Sequence, residues 1–166
     1  MSRKYVIGID GSGISEAIAG VETFEREIRE KANTLCRRLA ELGLRVAKAT
    51  FSTARYDGIN DVTVEIQERG ENCFAVVATG EATLFIEFGS GVTLGYGHPT
   101  AGEYGMGPGT YPDGKGHWAN PGGWYIPKDK GGGHTFGNPP SGAMYSAVRE
   151  LELEFTRIAK EVFQVD

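Results

Sequence analysis

Three imidazoles, His98, His117 and His134, lie in one glycine-rich stretch beside Glu103, Asp113 and Asp129. Donors of these types could hold zinc with an open fourth position, the starting point for a metal-dependent hydrolase or peptidase. Their spacings are long and irregular, and no two of them form a helical pair with an adjacent Glu. A glycine-rich carrier also fixes metal geometry poorly, so histidines that pack the loop are the simpler reading. The run Gly8-Ile9-Asp10-Gly11-Ser12-Gly13 sits between a strand-like and a helix-like segment, where free N–H groups attract anions. It matches neither the dinucleotide nor the P-loop spacing and no Lys follows, so a turn with helix capping accounts for it. Serines are present without a Gly-x-Ser-x-Gly elbow. Glu81 and Glu87 have no visible partner acid. Glu87, set among Phe85, Ile86 and Phe88, reads as a hydrogen-bonded structural carboxylate that is compatible with an assembly contact. Gly89 and Gly91 after it let the backbone turn sharply or be approached closely. The expectation is a protein with no catalytic residue, no metal and no cofactor.

Aromatic side chains give the stronger signal. Tyr96, Tyr104, Tyr111, Trp118, Trp124, Tyr125 and Phe136 lie in an excursion between Leu84 and Pro140 that also holds all seven prolines, all three histidines and both tryptophans. That length exceeds the roughly 12 to 15 residues at which structureless loops become uncommon, and disordered linkers are poor in aromatics. The rings offer large apolar area that should lie against something. A stacking platform for single-stranded nucleic acid or sugar is one reading. The excursion, however, sets Lys115, Lys128 and Lys130 against Glu103, Asp113 and Asp129, and the whole chain carries a net charge of −5. No basic groove for phosphates is visible. Aromatics among glycine and proline suit a protein interface better, with the excursion as an assembly arm, disordered or loosely held alone and ordered by partners.

The chain of 166 residues fits a single domain, with 40% hydrophobic and 23% charged residues as in ordinary globular proteins. Residues 5–9 read as a short strand. Ile14, Ile18, Val21, Ile28, Leu35, Leu39 and Leu42, with Phe24 and Ala32, then fall on one stripe of a long amphipathic helix. Gly43 stands where a left-handed C-terminal cap belongs, with Leu44 as its hydrophobic contact. Residues 44–53 read as a strand. Val62, Val64 and Ile66 alternate with polar neighbours, a turn follows at Arg69 to Asn72, and residues 73–78 form a denser apolar strand. Short turns imply antiparallel neighbours. Residues 82–88 could be a short helix or an edge segment. Pro139-Pro140-Ser141-Gly142 precedes a second helical stripe of Met144, Val148, Leu151, Phe155, Ile158 and Val162. The result is an α+β domain: a long N-terminal and a C-terminal helix on an antiparallel sheet of three or four strands. Residues 1–88 would be helix and meander, 89–140 the long insertion and 141–166 the last helix. Cys36 and Cys73 read as free thiols. The start resembles neither a signal peptide nor a membrane span, which predicts a chain made in the cytoplasm.

The segment Ala82-Thr83-Leu84-Phe85-Ile86-Glu87-Phe88-Gly89-Ser90-Gly91-Val92 is joined by the Gly-Tyr-Gly-His-Pro run and the Gly107-Pro108-Gly109-Thr110-Tyr111-Pro112 and Gly116-His117-Trp118 islands. Gly137-Asn138-Pro139-Pro140 then leads into Met144-Tyr145. Together these resemble the minor tail or neck proteins of tailed bacteriophages and prophages, also called tail-completion or head-tail joining proteins. The resemblance covers nearly the whole chain and is sharpest in Phe85 to Gly91 combined with the Pro-Pro helix start. It implies a non-enzymatic subunit that forms a ring, commonly hexameric, in the channel between head and tail. Its partners would be copies of itself and other neck, connector or tail proteins, with DNA passing without sequence-specific binding and no membrane contact. Its place would be the virion, and the host bacterial cytoplasm during assembly. Assembly contacts would fall on Phe85, Glu87, Phe88, Gly89, Ser90 and Gly91, and on the excursion's aromatic residues. The chain departs from the family pattern in its long aromatic insertion, since members typically have a much shorter connection there.

Overall fold

The computed structural model describes residues 11–110 and 117–164. The strand read at residues 5–9 lies outside them. The first element, α1, is a single helix over Gly11–Thr53, 43 residues long, or about 65 Å at 1.5 Å per residue. Gly43 therefore does not end it, and residues 44–53 are helix instead of strand. The helical period in fact continues past the glycine through Ala40, Leu44, Ala47 and Phe51. Ala47 and Phe51 belong to the main core and Leu44 packs against it. Thr50, Ser52 and Thr53, which looked strand-like, turn their hydroxyls back to the carbonyls of Val46 and Ala49 within the helix at 2.8–3.0 Å.

Gly43 is small because two neighbours press on it. A Cβ there would meet Val76 at 3.4 Å and Leu151 at 3.6 Å. This makes the position a sign test. A left-handed cap would lose stability on Gly43→Ala, whereas a helix-interior glycine gains up to about 1 kcal/mol from alanine's propensity, less any crowding. Urea unfolding of G43A is expected to show an unchanged or higher midpoint, and Gly43→Leu a lower one.

After α1, Asn60 donates its side-chain amide at 2.9 Å to the Phe51 carbonyl, which also accepts from the Ala54 N–H at 3.3 Å at the helix end. β1 (Thr63–Gly70) and β2 (Cys73–Thr79) form an antiparallel hairpin in which Val64 faces Ala78 and Ile66 faces Val76. The α+β class holds, but among the described residues this sheet has two strands, because the segment expected to extend it is helical. A second two-stranded sheet, β3 (Trp124–Tyr125) with β4 (His134–Thr135), lies inside the excursion. The short helix α2 spans Thr83–Phe88, and α3 spans Ala143–Phe163. α3 runs antiparallel to α1: Ala143 and Ala147 pack with Ala47 and Phe51, Leu151 lies by Gly43, and Glu161 pairs with Arg38. Ala82 at the N-cap of α2, Ile86 of α2 and Val64 of β1 complete this core.

Candidate functional site

The excursion leaves the body at the end of α2 and returns at the start of α3, and one buried carboxylate joins these two points. α3 has Gly142 at its N-cap, which offers no side chain to the first-turn N–H groups. Glu87 supplies what is missing: its Oε2 accepts from the Met144 N–H at 2.9 Å and its Oε1 from the Tyr145 N–H at 3.1 Å. These are the two positions an N-cap side chain normally satisfies, and negative charge is favoured there by the helix dipole. His98 adds a third contact, with Nε2 3.2 Å from Glu87 Oε1 and its side chain 2% exposed. The Thr100 N–H donates to His98 Nδ1 at 3.3 Å, so the proton sits on Nε2 and is donated to Glu87. Both ring nitrogens are thereby engaged.

Beside this carboxylate the two ends of the excursion clasp each other. Ser90 and Asn138 form an antiparallel bridge, with N–H to carbonyl bonds of 2.9 and 3.2 Å in the two directions. The Ser90 hydroxyl donates to Asn138 Oδ1 at 2.5 Å, and Asn138 Nδ2 donates to the Phe85 carbonyl at 2.8 Å. Gly91 and Gly137 permit the approach, since a Cβ on Gly91 would lie 2.3 Å from the Phe136 carbonyl oxygen and one on Gly137 2.0 Å from that of Ser90. Glu87, Phe88, Gly89, Ser90 and Gly91 are all buried. Phe88 forms a second small core with Ala101 and Met106 and packs edge-on against His98.

The aromatic residues separate into two sets. Phe85, Trp118 and Trp124 are half-buried and touch in series, Phe85 tilted against Trp118 at 4.9 Å and Trp118 edge-on to Trp124 at 5.3 Å between centroids. They wall a cavity of about 420 Å³ whose rim carries Asp57, Asp61, Glu81, Asp129 and Lys130. Tyr96, Tyr104, Tyr125 and Phe136 are exposed at 62%, 64%, 79% and 51%, although Tyr104 touches Phe88, and Tyr125 and Phe136 flank His134. Tyr111 lies outside the described residues.

The excursion's far half is tied to the body as well. The Ile59 N–H donates to the Lys130 carbonyl at 3.2 Å, Thr135 Oγ1 donates to Asp57 at 2.7 Å, and Lys130 pairs with Glu81. The arm expected to hang loosely is thus folded onto the domain over its described length. Asp61 accepts from the Glu81 and Ala82 N–H groups at 2.8 and 2.9 Å, holding the start of α2. The Ala82 N–H, helped by that of Glu81, holds the Asp61 carboxyl below the usual aspartate range. A carboxylate with a depressed folded pKa contributes stability above its unfolded pKa and loses it as pH falls through the folded value. Asp61→Ala, which removes the acceptor for both N–H groups, is therefore expected to cost about 1 kcal/mol at neutral pH. It should also flatten the loss of stability on the acid side of about pH 4 in a series of urea titrations.

Sequence reasoning placed Glu87 correctly as a satisfied carboxylate, but passed over Asn138, Asp61 and Thr135 as parts of the clasp. The signal for Asn138 was its position between a glycine and two prolines. Among the described residues no three His, Cys, Asp or Glu side chains converge as metal ligands. His134 instead packs edge-on to Tyr125 and Phe136, and the His117 side chain lies outside the described residues. No described helix is long and apolar enough to cross a membrane. No family model matches the chain, nor does any curated protein or solved structure.

Proposed function

We propose that this protein is a structural subunit of a bacteriophage or prophage neck, serving in head-tail joining or tail completion, and that it assembles as a ring, hexameric by the resemblance of its sequence. The observation that carries this reading is the pairing of a clamped base with an exposed aromatic display. Glu87, Ser90 and Asn138 direct their polar atoms inward to hold the excursion, while Tyr96, Tyr104, Tyr125 and Phe136 face outward. Such rings have few rotatable bonds and lose little entropy when covered, so a pre-organised aromatic surface favours protein contacts. The partners are other copies, then connector or tail proteins, and the station is the neck of the virion, reached from the host cytoplasm. A chain with net charge −5 also suits a channel wall along which DNA slides without sticking.

The test is deletion of the gene from its parent phage or prophage. Induced lysates examined by electron microscopy should hold filled heads and separate tails, and purified protein added back should restore joined particles. Intact, infectious virions from the deletion strain would sink the proposal. A second reading, a carbohydrate-binding module, draws on the cavity walled by Phe85, Trp118 and Trp124 with carboxylates at its rim. It predicts salt-insensitive quenching of tryptophan emission by glycans, and lack of quenching across a glycan panel removes it.

A further inference from the structure

Among the described residues, the N-terminal part of α1 extends past the other elements that pack on this helix. α3 ends at Phe163, whose ring lies beneath the ammonium of Lys31, and the hairpin tip at Glu71 reaches Arg29. From Gly11 to that point α1 has about five further turns, roughly 30 Å of helix. Four apolar residues are exposed there: Ile14 is 50%, Ile18 55%, Val21 55% and Ile28 39% exposed. A row of half-exposed isoleucines and valine on one helix face is an apolar patch of the kind that marks a protein contact.

The same chain carries a second stripe of matching length. On α3, Val148 and Phe155 are 52% and 50% exposed and Val162 is half-buried. Val148, Phe155 and Val162 recur at seven-residue intervals, as do Ile14, Val21 and Ile28, so each row spans about 21 Å. Seven-residue spacing is what side-by-side helices interlock through. The two stripes cannot meet within one molecule, because the overhang begins where α3 of the same chain ends. A parallel pair of overhangs would set Glu25 against Glu25 between Val21 and Ile28.

We infer that the α1 overhang of one subunit docks on the outer flank of α3 in a second copy of this chain. The contact joins two different patches, which makes it heterologous, and a heterologous contact that closes on itself generates a ring. This deepens the ring reading above and rests on it. It names the seam: Ile14, Ile18, Val21 and Ile28 against Val148, Phe155 and Val162. One such seam is small, so assembly is concentration-dependent, and closure, in which every subunit uses both patches, stabilises the whole.

Cysteine pairing decides it, in a background with Cys36 and Cys73 replaced by serine. Val21 and Phe155 lie about 25 Å apart along the helix axis within one chain, so Val21→Cys and Phe155→Cys in the same chain can bridge only between copies. Oxidation of this double variant should give a covalent ladder that stops at the ring size. Mixing the two single variants should give a heterodimer, while V21C alone should stay uncrosslinked. Ile18→Glu, at an exposed position that leaves thermal unfolding unchanged, should weaken self-association about 10- to 100-fold in sedimentation velocity. A V21C homodimer would overturn the inference in favour of paired overhangs. Rings that form without the Val21–Phe155 bridge would also overturn it while leaving the ring reading intact. A chain that stays monomeric at the highest soluble concentration, with no bridge, would remove the seam and the unaided ring together.

Discussion

Glu87→Ala is expected to lower the unfolding free energy by about 3 to 5 kcal/mol, in the range for removing one partner of a buried charged network. The Met144 and Tyr145 N–H groups and His98 Nε2 all point at this carboxylate, and no side chain at Gly142 can replace it. Truncation leaves three buried donors without their acceptor. Glu87→Gln keeps one acceptor oxygen but turns an amide NH₂ toward groups that are themselves donors, and it forfeits the charge favoured at a helix start. It should fall between the two, at about 1 to 3 kcal/mol. The measurement is urea unfolding followed by far-UV circular dichroism, with the slope unchanged and the midpoint lowered. Hydrogen exchange should locate the damage at Met144, Tyr145 and Thr100. A variant within about 0.5 kcal/mol of wild type would mean that α3 does not depend on this cap. The same variant bears on function: if the excursion is a display surface, Glu87→Ala should impair head-tail joining without touching any exposed ring.

How far the fold could be read from sequence depended on the range of the determining interaction. The hairpin was legible, since Val64 and Ile66 alternate with polar residues and the turn residues sit between two dense runs. So was α3, whose period is regular and whose start is marked by Pro139 and Pro140. Gly43 misled because its local chemistry is that of a helix stop. Only the close passage of Val76 and Leu151, far away in sequence, explains a glycine inside a continuing helix. The cap of α3 was hidden for the same reason: its acceptor stands on α2, on the far side of the excursion. Glu87 was recognisable as a buried, satisfied acid from its apolar neighbours, but its donors were not. For the aromatic residues, composition said that they must be covered or displayed. Which rings do which follows from the clasp, which turns Trp118 and Trp124 inward and Tyr125 and Phe136 outward.

Among the described glycines, Gly137→Ala should be the most damaging methyl addition, because a positive φ and the closest backbone contact, 2.0 Å, fall on one residue. Gly137 has φ of +98°, a backbone state that costs an L-residue about 1 to 3 kcal/mol. Its new Cβ would also lie 2.0 Å from the Ser90 carbonyl oxygen and 2.6 Å from the Ser90 carbonyl carbon. Those atoms belong to a bridge whose hydrogen bonds fix the spacing, so they cannot withdraw while Ser90 and Asn138 stay paired. Two comparison variants separate the penalties. Gly102 has open space and an ordinary φ, so Gly102→Ala should stay within about 0.5 kcal/mol of wild type. Gly97 has φ of +105° and open space, so Gly97→Ala should show the backbone penalty alone, about 1 to 3 kcal/mol. Gly137→Ala should exceed both, at about 4 kcal/mol or more, the size reserved for a named structural failure. Its signature should be local before it is global. Opening the clasp frees the Phe85, Trp118 and Trp124 cluster from its support, so tryptophan emission should shift to longer wavelength at urea concentrations where the α1 and α3 helical signal persists. Coincident loss of both signals would mean that the excursion and the helical body unfold as one unit, with the clasp holding the body itself closed.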